Sequence, residues 1–470
     1  MSSSRSLPSR SRWRSALLTP CLLALVAVLL VACGSRVKAG SVDEGLGNAT
    51  GGTTAATTAA TGGTGQPAAN MVGTMPSPCG PGHATGTTDK GVTPTTIKIG
   101  VISDKNGIGG ITVPTVGIQG SMQAFVAYCN SLGGVRGRKL QLVTFDSKLF
   151  QENEAMKQAC SSGIFALVGS GSVADDQGAQ TMVDCKLVEV AGYTATYAKG
   201  LSPRVFSVIP NPGNIFPTGP ARYIAKQFPD AIKKAGIVYP STPDTAKNQA
   251  KRMEQATIPL GFKYIADTPT APLVTNWAPI VQSLKDKGVQ YLTAITTVDQ
   301  TVQMLKAMKV AGFAPKVVDL AQQYYDPALA SSGVAEGAYV LTNTQPFEEP
   351  NAAIDLYNQW LKQAGGGTAP TTLGVESFSA GLLFAKVAGS LGSHVTRDNL
   401  IKGLTKVTSW DAGGLHPAQN PGQNKANSCV LYLQVKGGKF VRVFPDQGFA
   451  CNAANTAPVS GDFGKVPVEK

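Results

Sequence analysis

The sequence predicts an α/β protein built from two doubly wound parallel-sheet lobes, and three observations support this. Four short apolar runs of strand length lie between residues 97 and 193, and each is followed by a segment whose apolar residues have helical spacing. A second series of the same kind begins at residue 205 and continues to residue 342. Buried strands that alternate with helices form a parallel sheet with right-handed crossovers. We therefore expect two consecutive βα modules of similar size.

The first 32 residues have the pattern of a secretory signal peptide. Four arginines precede an apolar stretch that begins at Ala16 and ends in small residues before Cys33. The run Leu30-Val31-Ala32-Cys33 resembles a bacterial lipobox. The resemblance implies lipidation of Cys33 after cleavage, and hence a protein anchored to the outer face of the cytoplasmic membrane. An uncleaved transmembrane anchor is the alternative, but Thr19 and Pro20 interrupt a run already short for spanning.

Residues 33–93 are rich in Gly, Thr, Ala and Ser and contain few large apolar side chains. Such a stretch cannot bury enough surface to offset the entropy lost on ordering. We predict a flexible tether, with Cys79 joining its far end to the folded body.

The remaining chain divides into lobes by its pattern of strands and helices. Ile118, Met122 and Phe125 lie on one face of a predicted helix, and two alternating runs around Gly437-Gly438 predict a β-hairpin. The expected order is lobe 1 at 94–208, lobe 2 at 209–341, a return to lobe 1 at 342–408, the closing hairpin of lobe 2 at 409–455 and a tail at 456–470.

Six cysteines follow Cys33, and an even number in an extracytoplasmic protein predicts three disulfides. None of the spacings between the cysteines is CxxC, so the sequence gives little support for a zinc or redox site. Six cysteines permit 15 pairings, but neighbours in the predicted topology favour Cys160–Cys185 and Cys429–Cys451, which leaves Cys79 with Cys129.

Composition and motifs argue against several classes of function. Removal of the four arginines of the predicted signal peptide lowers the formal charge from +12 to +8. The remaining charge is spread along the chain without a dense basic block, so nucleic acid is not an expected partner. Three histidines lack metal-ligand spacing, and the sequence contains no serine-hydrolase elbow, P-loop or zinc-protease motif. Gly107-Ile108-Gly109-Gly110 does not complete a dinucleotide fingerprint. We therefore expect no enzyme activity, no cofactor and no metal.

Two polar loops follow neighbouring predicted strands. Gly169-Ser170-Gly171-Ser172 opens a helix, and Tyr193-Thr194-Ala195-Thr196 offers hydroxyls, an aromatic ring and free backbone groups. In open parallel sheets ligands bind outside the carboxyl ends of the strands, and a helix N-terminus suits an anion. Both loops are therefore candidate ligand contacts; the alternative is that they are ordinary N-caps and turns.

The segment from Gly120 to Lys139 resembles the first-helix signature of type I periplasmic binding proteins, the branched-chain amino acid binding family. Its helix ends at Asn130, two glycines turn the chain, and Gly-Arg-Lys leads into a strand that ends at Asp146. The run Gly374-Val375-Glu376-Ser377-Phe378 resembles the late first-lobe helix of that family, and 430–443 its closing hairpin. The ordered series of motifs covers about residues 93 to 452.

The resemblance implies two lobes joined by three crossover segments that close on a small molecule and present it to an ABC permease. The crossovers are expected near 205–211, 339–344 and 407–412. Lobe 1 is expected to hold a carboxylate-like end of the ligand through Ser172, Thr194, Ala195 and Thr196, with Asn106 nearby. Lobe 2 is expected to contribute Ser241, Thr297, Gln322, Gln323 and Tyr324.

Two departures bear on the ligand. Amino-acid binders of this family present an acid near the position of Gln322 and Gln323, and a Tyr-Gly where this chain has Thr242-Pro243-Asp244. A buried ammonium without a carboxylate is costly, so an amide or a carboxylate fits at least as well as an α-amino acid, unless Asp244, Asp299 or Asp326 supplies the charge. Rival functions are a ligand-sensing receptor of the same fold and an extracellular hydrolase.

Overall fold

The computed structural model describes residues 70–107 and 113–469. The predicted signal peptide at 1–32, the lipidated Cys33 and the tether as far as residue 69 lie outside the described residues. Within the described ranges, no helix combines the length and the apolar character that a membrane crossing requires.

Lobe 1 contains a five-stranded parallel sheet with strand order β4-β3-β5-β6-β7. A short hairpin of β1 (Met71–Val72) and β2 (Met75–Pro76) precedes it. The lobe then runs through β3 (Thr96–Ser103), α1 (Gly117–Ser131), β4 (Lys139–Asp146), α2 (Glu152–Ser161), β5 (Ala166–Val168), α3 (Asp176–Asp184), β6 (Glu189–Ala191), α4 (Tyr197–Gly200) and β7 (Val205–Ser207).

Lobe 2 contains a seven-stranded mixed sheet with strand order β10-β9-β11-β12-β13-β15-β16. Its first part consists of β8 (Ile215–Pro217), α5 (Gly219–Gln227), β9 (Ala235–Pro240), α6 (Asp244–Thr257), β10 (Tyr264–Thr270), α7 (Ala278–Asp286), β11 (Tyr291–Ala294), α8 (Val298–Val310), β12 (Val317–Leu320), α9 (Pro327–Ala330) and β13 (Tyr339–Leu341). The strands from β9 to β13 within this sheet are parallel.

The chain then returns to lobe 1 and finishes in lobe 2. The return comprises α10 (Ala352–Ala364), α11 (Thr372–Ser390) and α12 (Arg397–Thr405); the final strands are β14 (Cys429–Val430), β15 (Tyr432–Lys436), β16 (Lys439–Phe444), β17 (Ala450–Cys451) and β18 (Thr456–Pro458). The predicted hairpin is confirmed: β15 pairs antiparallel with β16, and Gly437 and Gly438 at its turn have φ of 57° and 76°, which glycine adopts without steric cost.

Burial explains why these elements form. Ile97, Ile99 and Val101 of β3 are fully buried, as expected for a parallel strand covered on both faces. Helix α11 is mostly apolar, is buried over most of its length and packs inside lobe 1. The rings of Phe125 on α1 and Phe378 on α11 meet edge to face, with centroids 5.7 Å apart.

The predicted flexible tether is too long at its C-terminal end, because the chain is packed from residue 70 onward. Val72 and Val92 are buried, and Cys79 forms a disulfide with Cys129. The guanidinium of the buried Arg138 donates to the backbone carbonyls of Thr93, Thr85, Gly86 and Gly392. Backbone carbonyls and two apolar anchors therefore order a stretch whose composition alone predicts disorder.

The other disulfides join Cys160 to Cys185 and Cys429 to Cys451, so all three favoured pairings are present. The chain changes lobe in the segments 208–214, 342–351 and 406–428. The expected start of the closing segment at residue 409 is too early, since Trp410, Ala412 and Leu415 belong to the apolar core of lobe 1.

The C-terminal tail contacts both lobes. Strand β18 pairs with β8, Gln255 on α6 bonds to both backbone groups of Ser460, and Gln180 on α3 bonds to both backbone groups of Val468. The tail therefore runs across the boundary between the lobes.

Candidate functional site

A narrow cavity lies between the lobes beside α6, and we call it the α6 cavity. Lobe 1 supplies the loop after β6 and the start of α3, lobe 2 supplies one face of α6, and the tail supplies an aromatic ring. The lining residues are Asp176, Ala195, Thr196, Tyr197, Thr245, Asn248, Gln249, Arg252 and Phe463. Ala195 and Thr196 are predicted ligand contacts, so this part of the prediction lies at the boundary between the lobes.

A second cavity between the lobes lies at the start of α11, and we call it the α11 cavity. Its lining residues are Gln322, Gln323, Tyr325 and Asp326 from lobe 2 and Thr371, Thr372 and Leu373 from lobe 1. Two predicted contacts, Gln322 and Gln323, are thus brought to the lobe boundary. Asp326 is one of the three acids that the sequence offers as a partner for a ligand ammonium group. Its carboxylate accepts the amide proton of Ala328 at 2.7 Å as the N-cap of α9.

A carboxylate of the chain itself occupies the loop that was expected to hold a ligand carboxylate. Asp175 is 2% exposed and accepts the amide protons of Ala195 at 2.7 Å and Thr196 at 3.1 Å. The Thr196 hydroxyl also donates to Asp175, while its oxygen accepts the amide proton of Lys199 as the N-cap of α4. These donors are already engaged, contrary to the prediction, so a ligand carboxylate finds no free amide at Ala195 or Thr196.

Asp175 belongs to a buried cluster of three acids and one lysine behind this loop. The Nζ of Lys199 lies 2.5 Å from Oε2 of Glu189. Burial raises the pKa of Glu152 to about 8, against the opposing effects of Lys199 and a hydrogen bond from Ser172. Burial likewise raises the pKa of Asp175 to about 7, against Lys199 and its hydrogen bonds. The positive charge of Lys199 therefore acts on three buried carboxyl groups, those of Glu189, Glu152 and Asp175.

The serines of the preceding loop and Asn106 serve the structure of lobe 1. Ser170 is buried, and its hydroxyl accepts a backbone amide proton of β3 at 3.1 Å. Ser172 is also buried and donates to Glu152 at 2.9 Å. Asn106 is exposed and donates to Asp146. None of the three lines the α6 cavity or the α11 cavity, and their predicted ligand contacts stay predictions.

Three predicted residues of lobe 2 also have local structural roles. Tyr324 is fully buried, and its hydroxyl accepts the amide proton of Thr296 at 2.7 Å and donates to that residue's carbonyl at 2.8 Å. Thr297 is the N-cap of α8. Ser241 donates to a backbone carbonyl at the end of β10 at 3.0 Å. The ring of Tyr324 packs in the core of lobe 2, and the predicted ligand contact through it stays a prediction.

Tyr193 and Thr194 lie between charges from both lobes. Burial raises the pKa of Tyr193, the carboxyls of Asp175 and Glu376 raise it further, and Arg252 on α6 opposes them. Thr194 is 1% exposed, and its hydroxyl oxygen has no hydrogen-bond partner. A buried hydroxyl without a partner is unusual, and a bound solute can satisfy it.

Sequence reasoning missed Glu376 and Arg252. Glu376 on α11 is fully buried, and neither carboxyl oxygen completes a hydrogen bond. Burial raises its pKa well above the ordinary value, although the amides of Gln322 and Asn343 lower it. An acid inside an otherwise apolar helix was a usable signal. Arg252 lies on the polar helix α6 and gave no comparable signal.

Two lobes, three crossings and two cavities between the lobes define a two-lobed binding protein. The family profile described as Periplasmic binding protein matches residues 96–439. The chain therefore belongs to the periplasmic binding protein family, which is a family of binding proteins and not of enzymes. No curated protein sequence matches the chain.

Solved structures with the same fold cover most of the chain at low sequence identity. The leucine-binding protein of Thermotoga maritima superposes with a TM-score of 0.62 at 16% identity, covering 77% of this chain and 100% of its own. A fatty acid ABC transporter substrate-binding protein from Thermomonospora curvata superposes with a TM-score of 0.65 at 18% identity, covering 79% of this chain and 97% of its own. An R. palustris ABC transporter solute-binding protein in complex with 4-hydroxybenzoate superposes with a TM-score of 0.61 at 18% identity, covering 76% of this chain and 97% of its own. These similarities establish the type I periplasmic binding protein fold.

Proposed function

We propose that this protein is the extracytoplasmic substrate-binding lipoprotein of an ABC importer and that it binds a small polar solute between its lobes. The supporting observation is the pair of cavities walled by both lobes in a chain of the periplasmic binding protein family. The similar structures are named for leucine, fatty acids and 4-hydroxybenzoate, so an amino acid, an amide or a carboxylate is the expected class of solute. Closure of the lobes removes water from such a ligand and presents one surface to a permease.

The proposed contacts are the predicted residues at the lobe boundary. Lobe 1 contributes Tyr193 and Thr194, and lobe 2 contributes Gln322 and Gln323 at the α11 cavity. Thr196 is unsuitable for a binding test because its hydroxyl bonds to Asp175 and caps α4.

Binding is tested by mass spectrometry of solute that co-purifies with the protein, and by thermal shift with amino acids, their amides, benzoates and short fatty acids. A ligand at 100 times its Kd stabilises the folded state by about 2.7 kcal/mol. Thr194→Val keeps the shape of a side chain whose hydroxyl has no partner, so we expect an unchanged fold and roughly 10-fold weaker binding. Thr144→Val, at an exposed position of β4, is the control. Absence of any bound solute, together with turnover of an ester or amide, would contradict the proposal.

Lipid attachment is tested in the full chain expressed in a bacterial host. We expect acyl labelling and partition into detergent to require Cys33, so Cys33→Ala abolishes both while Cys21→Ala leaves both intact. Equal labelling of the two variants contradicts the proposed anchor.

A further inference from the structure

Arg252 is a buried cation whose hydrogen-bonding capacity is largely unused. Its side chain is on α6 and is 2% exposed. Nη1 donates to Gln249 at 3.2 Å and Nη2 to the carbonyl of Ile215 at 3.4 Å, both long contacts, and Nε has no partner. Among the residues that the structure describes, the guanidinium makes no salt bridge.

The other fully buried arginine shows what a structural role looks like in this protein. Arg138 is 1% exposed, and its guanidinium donates to Thr93 at 2.9 Å, to Gly392 at 3.0 Å and to Thr85 at 2.6 Å. A guanidinium carries five N–H donors, and burying its charge without such partners costs several kcal/mol. Arg252 therefore resembles a binding group that awaits a partner more than a structural one.

The surroundings of Arg252 are suited to an anion. The side chain lines the α6 cavity together with the neutral polar groups of Thr245, Asn248 and Gln249. The one acid in that lining is Asp176, which is exposed and, among the described residues, forms no salt bridge with Arg252. Burial lowers the pKa of Arg252 to about 10, so the guanidinium is still charged at neutral pH.

The opposite wall explains why the anion is held from lobe 2. The amides of Ala195 and Thr196, which line the same cavity, already bond to Asp175. A ligand carboxylate placed there would therefore find no free amide proton to accept. The guanidinium across the cavity offers free donors in the planar arrangement that matches a carboxylate.

We propose that Arg252 is the anchor for the carboxylate of the transported solute, and that the solute is a small carboxylic acid. This inference rests on the proposed solute-binding function and specifies its ligand class. The apolar part of the acid lies against Tyr197 of lobe 1 and Phe463 of the tail, whose ring centroids are 5.8 Å apart. The carboxylate accepts from Nε and from the free N–H groups of the guanidinium.

The test compares carboxylic acids with their uncharged amides in the full protein. Benzoate, 4-hydroxybenzoate and hexanoate are titrated against benzamide, 4-hydroxybenzamide and hexanamide by calorimetry, with the wild-type protein, Arg252→Gln and Arg252→Lys. Lys247→Gln is the matched control, because it removes one positive charge from the exposed side of the same helix. Thermal unfolding of each variant checks the fold.

We expect the wild-type protein to bind an acid more tightly than its amide. Arg252→Gln should weaken binding of the acid by about 10- to 100-fold and leave the amide unchanged, because only the charge-assisted bonds are lost. Arg252→Lys keeps the charge and the fold but loses the paired geometry, so its affinity is intermediate. Equal binding of acid and amide, or acid binding by Arg252→Gln at wild-type strength, overturns the inference. Tight binding of a neutral or cationic ligand, and not of an acid, also overturns the inference about Arg252 but leaves the proposed solute-binding function intact. If no class of solute binds and no solute co-purifies, the result contradicts both the inference and the proposed function.

Discussion

Replacing Glu152 by glutamine is expected to stabilise the protein at pH 8 and to flatten the pH dependence of its unfolding. Glu152 is buried beside Asp175, Glu189 and Lys199, and burial raises its pKa from 4.5 to about 8. Glutamine keeps the oxygen that accepts the Ser172 hydroxyl proton at 2.9 Å and removes the charge. The substitution therefore removes the cost of a buried carboxylate without emptying the site.

The sign follows from proton linkage. A carboxyl group whose pKa is higher in the folded state binds more protons there, so stability falls as pH rises from the unfolded pKa through the folded pKa. Between pH 6 and pH 8, the shift of Glu152 to about 8 corresponds to a loss of roughly 2 kcal/mol, and that of Asp175 to about 7 to a loss of roughly 1 kcal/mol. His416 opposes them by roughly 1 kcal/mol, because burial lowers its pKa to about 4 and the unfolded state then binds the extra proton at pH 6.

The assay is calorimetric thermal unfolding at pH 6, 7 and 8. Burial also raises the pKa values of Glu376 and Asp319, and their losses are the same in both proteins, so the quantity compared is the difference between the wild-type protein and the variant. Glu152→Gln should reduce the loss between pH 6 and pH 8 by roughly 2 kcal/mol, which corresponds to roughly 2 °C in Tm for a chain of this length. Glu154→Gln is the control, since Glu154 lies on the same helix with its side chain 61% exposed. A wild-type protein more stable at pH 8 than at pH 6, or an unchanged slope in Glu152→Gln, refutes the reasoning.

Two further predictions concern the buried lysine and the tail. Lys199→Met leaves three buried carboxyl groups without their cation and should destabilise the fold by about 3 to 5 kcal/mol. Lys233→Met breaks an exposed ion pair and should change Tm little. Similar Tm values for the two variants would exclude a stabilising role of Lys199 in the buried cluster. Deleting residues 466–470 removes the two bonds between Val468 and Gln180 of lobe 1 but keeps Phe463, and it should speed solute release in stopped-flow measurements. An unchanged release rate would mean that the tail does not hold the lobes together.

The sequence predicts the fold well because the fold depends on long, repeated patterns. Strand β3 is a mostly apolar run interrupted by Lys98, and α1 carries its large apolar residues on one face, so both are indicated by the sequence pattern. Pairing of Cys160 with Cys185 follows because the two cysteines end consecutive helices of one βα series. The order at residues 70–93 could not be predicted in the same way, since it depends on carbonyls that reach the distant Arg138.

The site is less predictable because it depends on contacts between residues far apart in sequence. The polar loops after β5 and β6 are at strand ends, as expected, but periodicity cannot reveal that Asp175 folds back onto Ala195 and Thr196. Tyr324 follows a strand like a ligand contact, yet its hydroxyl bonds within the lobe 2 core. Arg252 comes next to a partly exposed lysine on a polar helix, and its burial depends on contacts with distant residues such as Ile215 and Phe216.

These contacts assign different tasks to the two lobes. In lobe 1, Asp175 and the cluster around Lys199 fix the loop at Ala195 and Thr196 before any solute arrives, so little binding energy is lost in ordering it. In lobe 2, Arg252 carries the charge that the solute neutralises. A carboxylic acid that contacts the fixed loop and the guanidinium together has more partners when the lobes are closed than when they are apart. Only such differential binding shifts the population of closed molecules. Because the charged Arg252 is on lobe 2 and the fixed loop is on lobe 1, closure depends on the carboxylate of the solute.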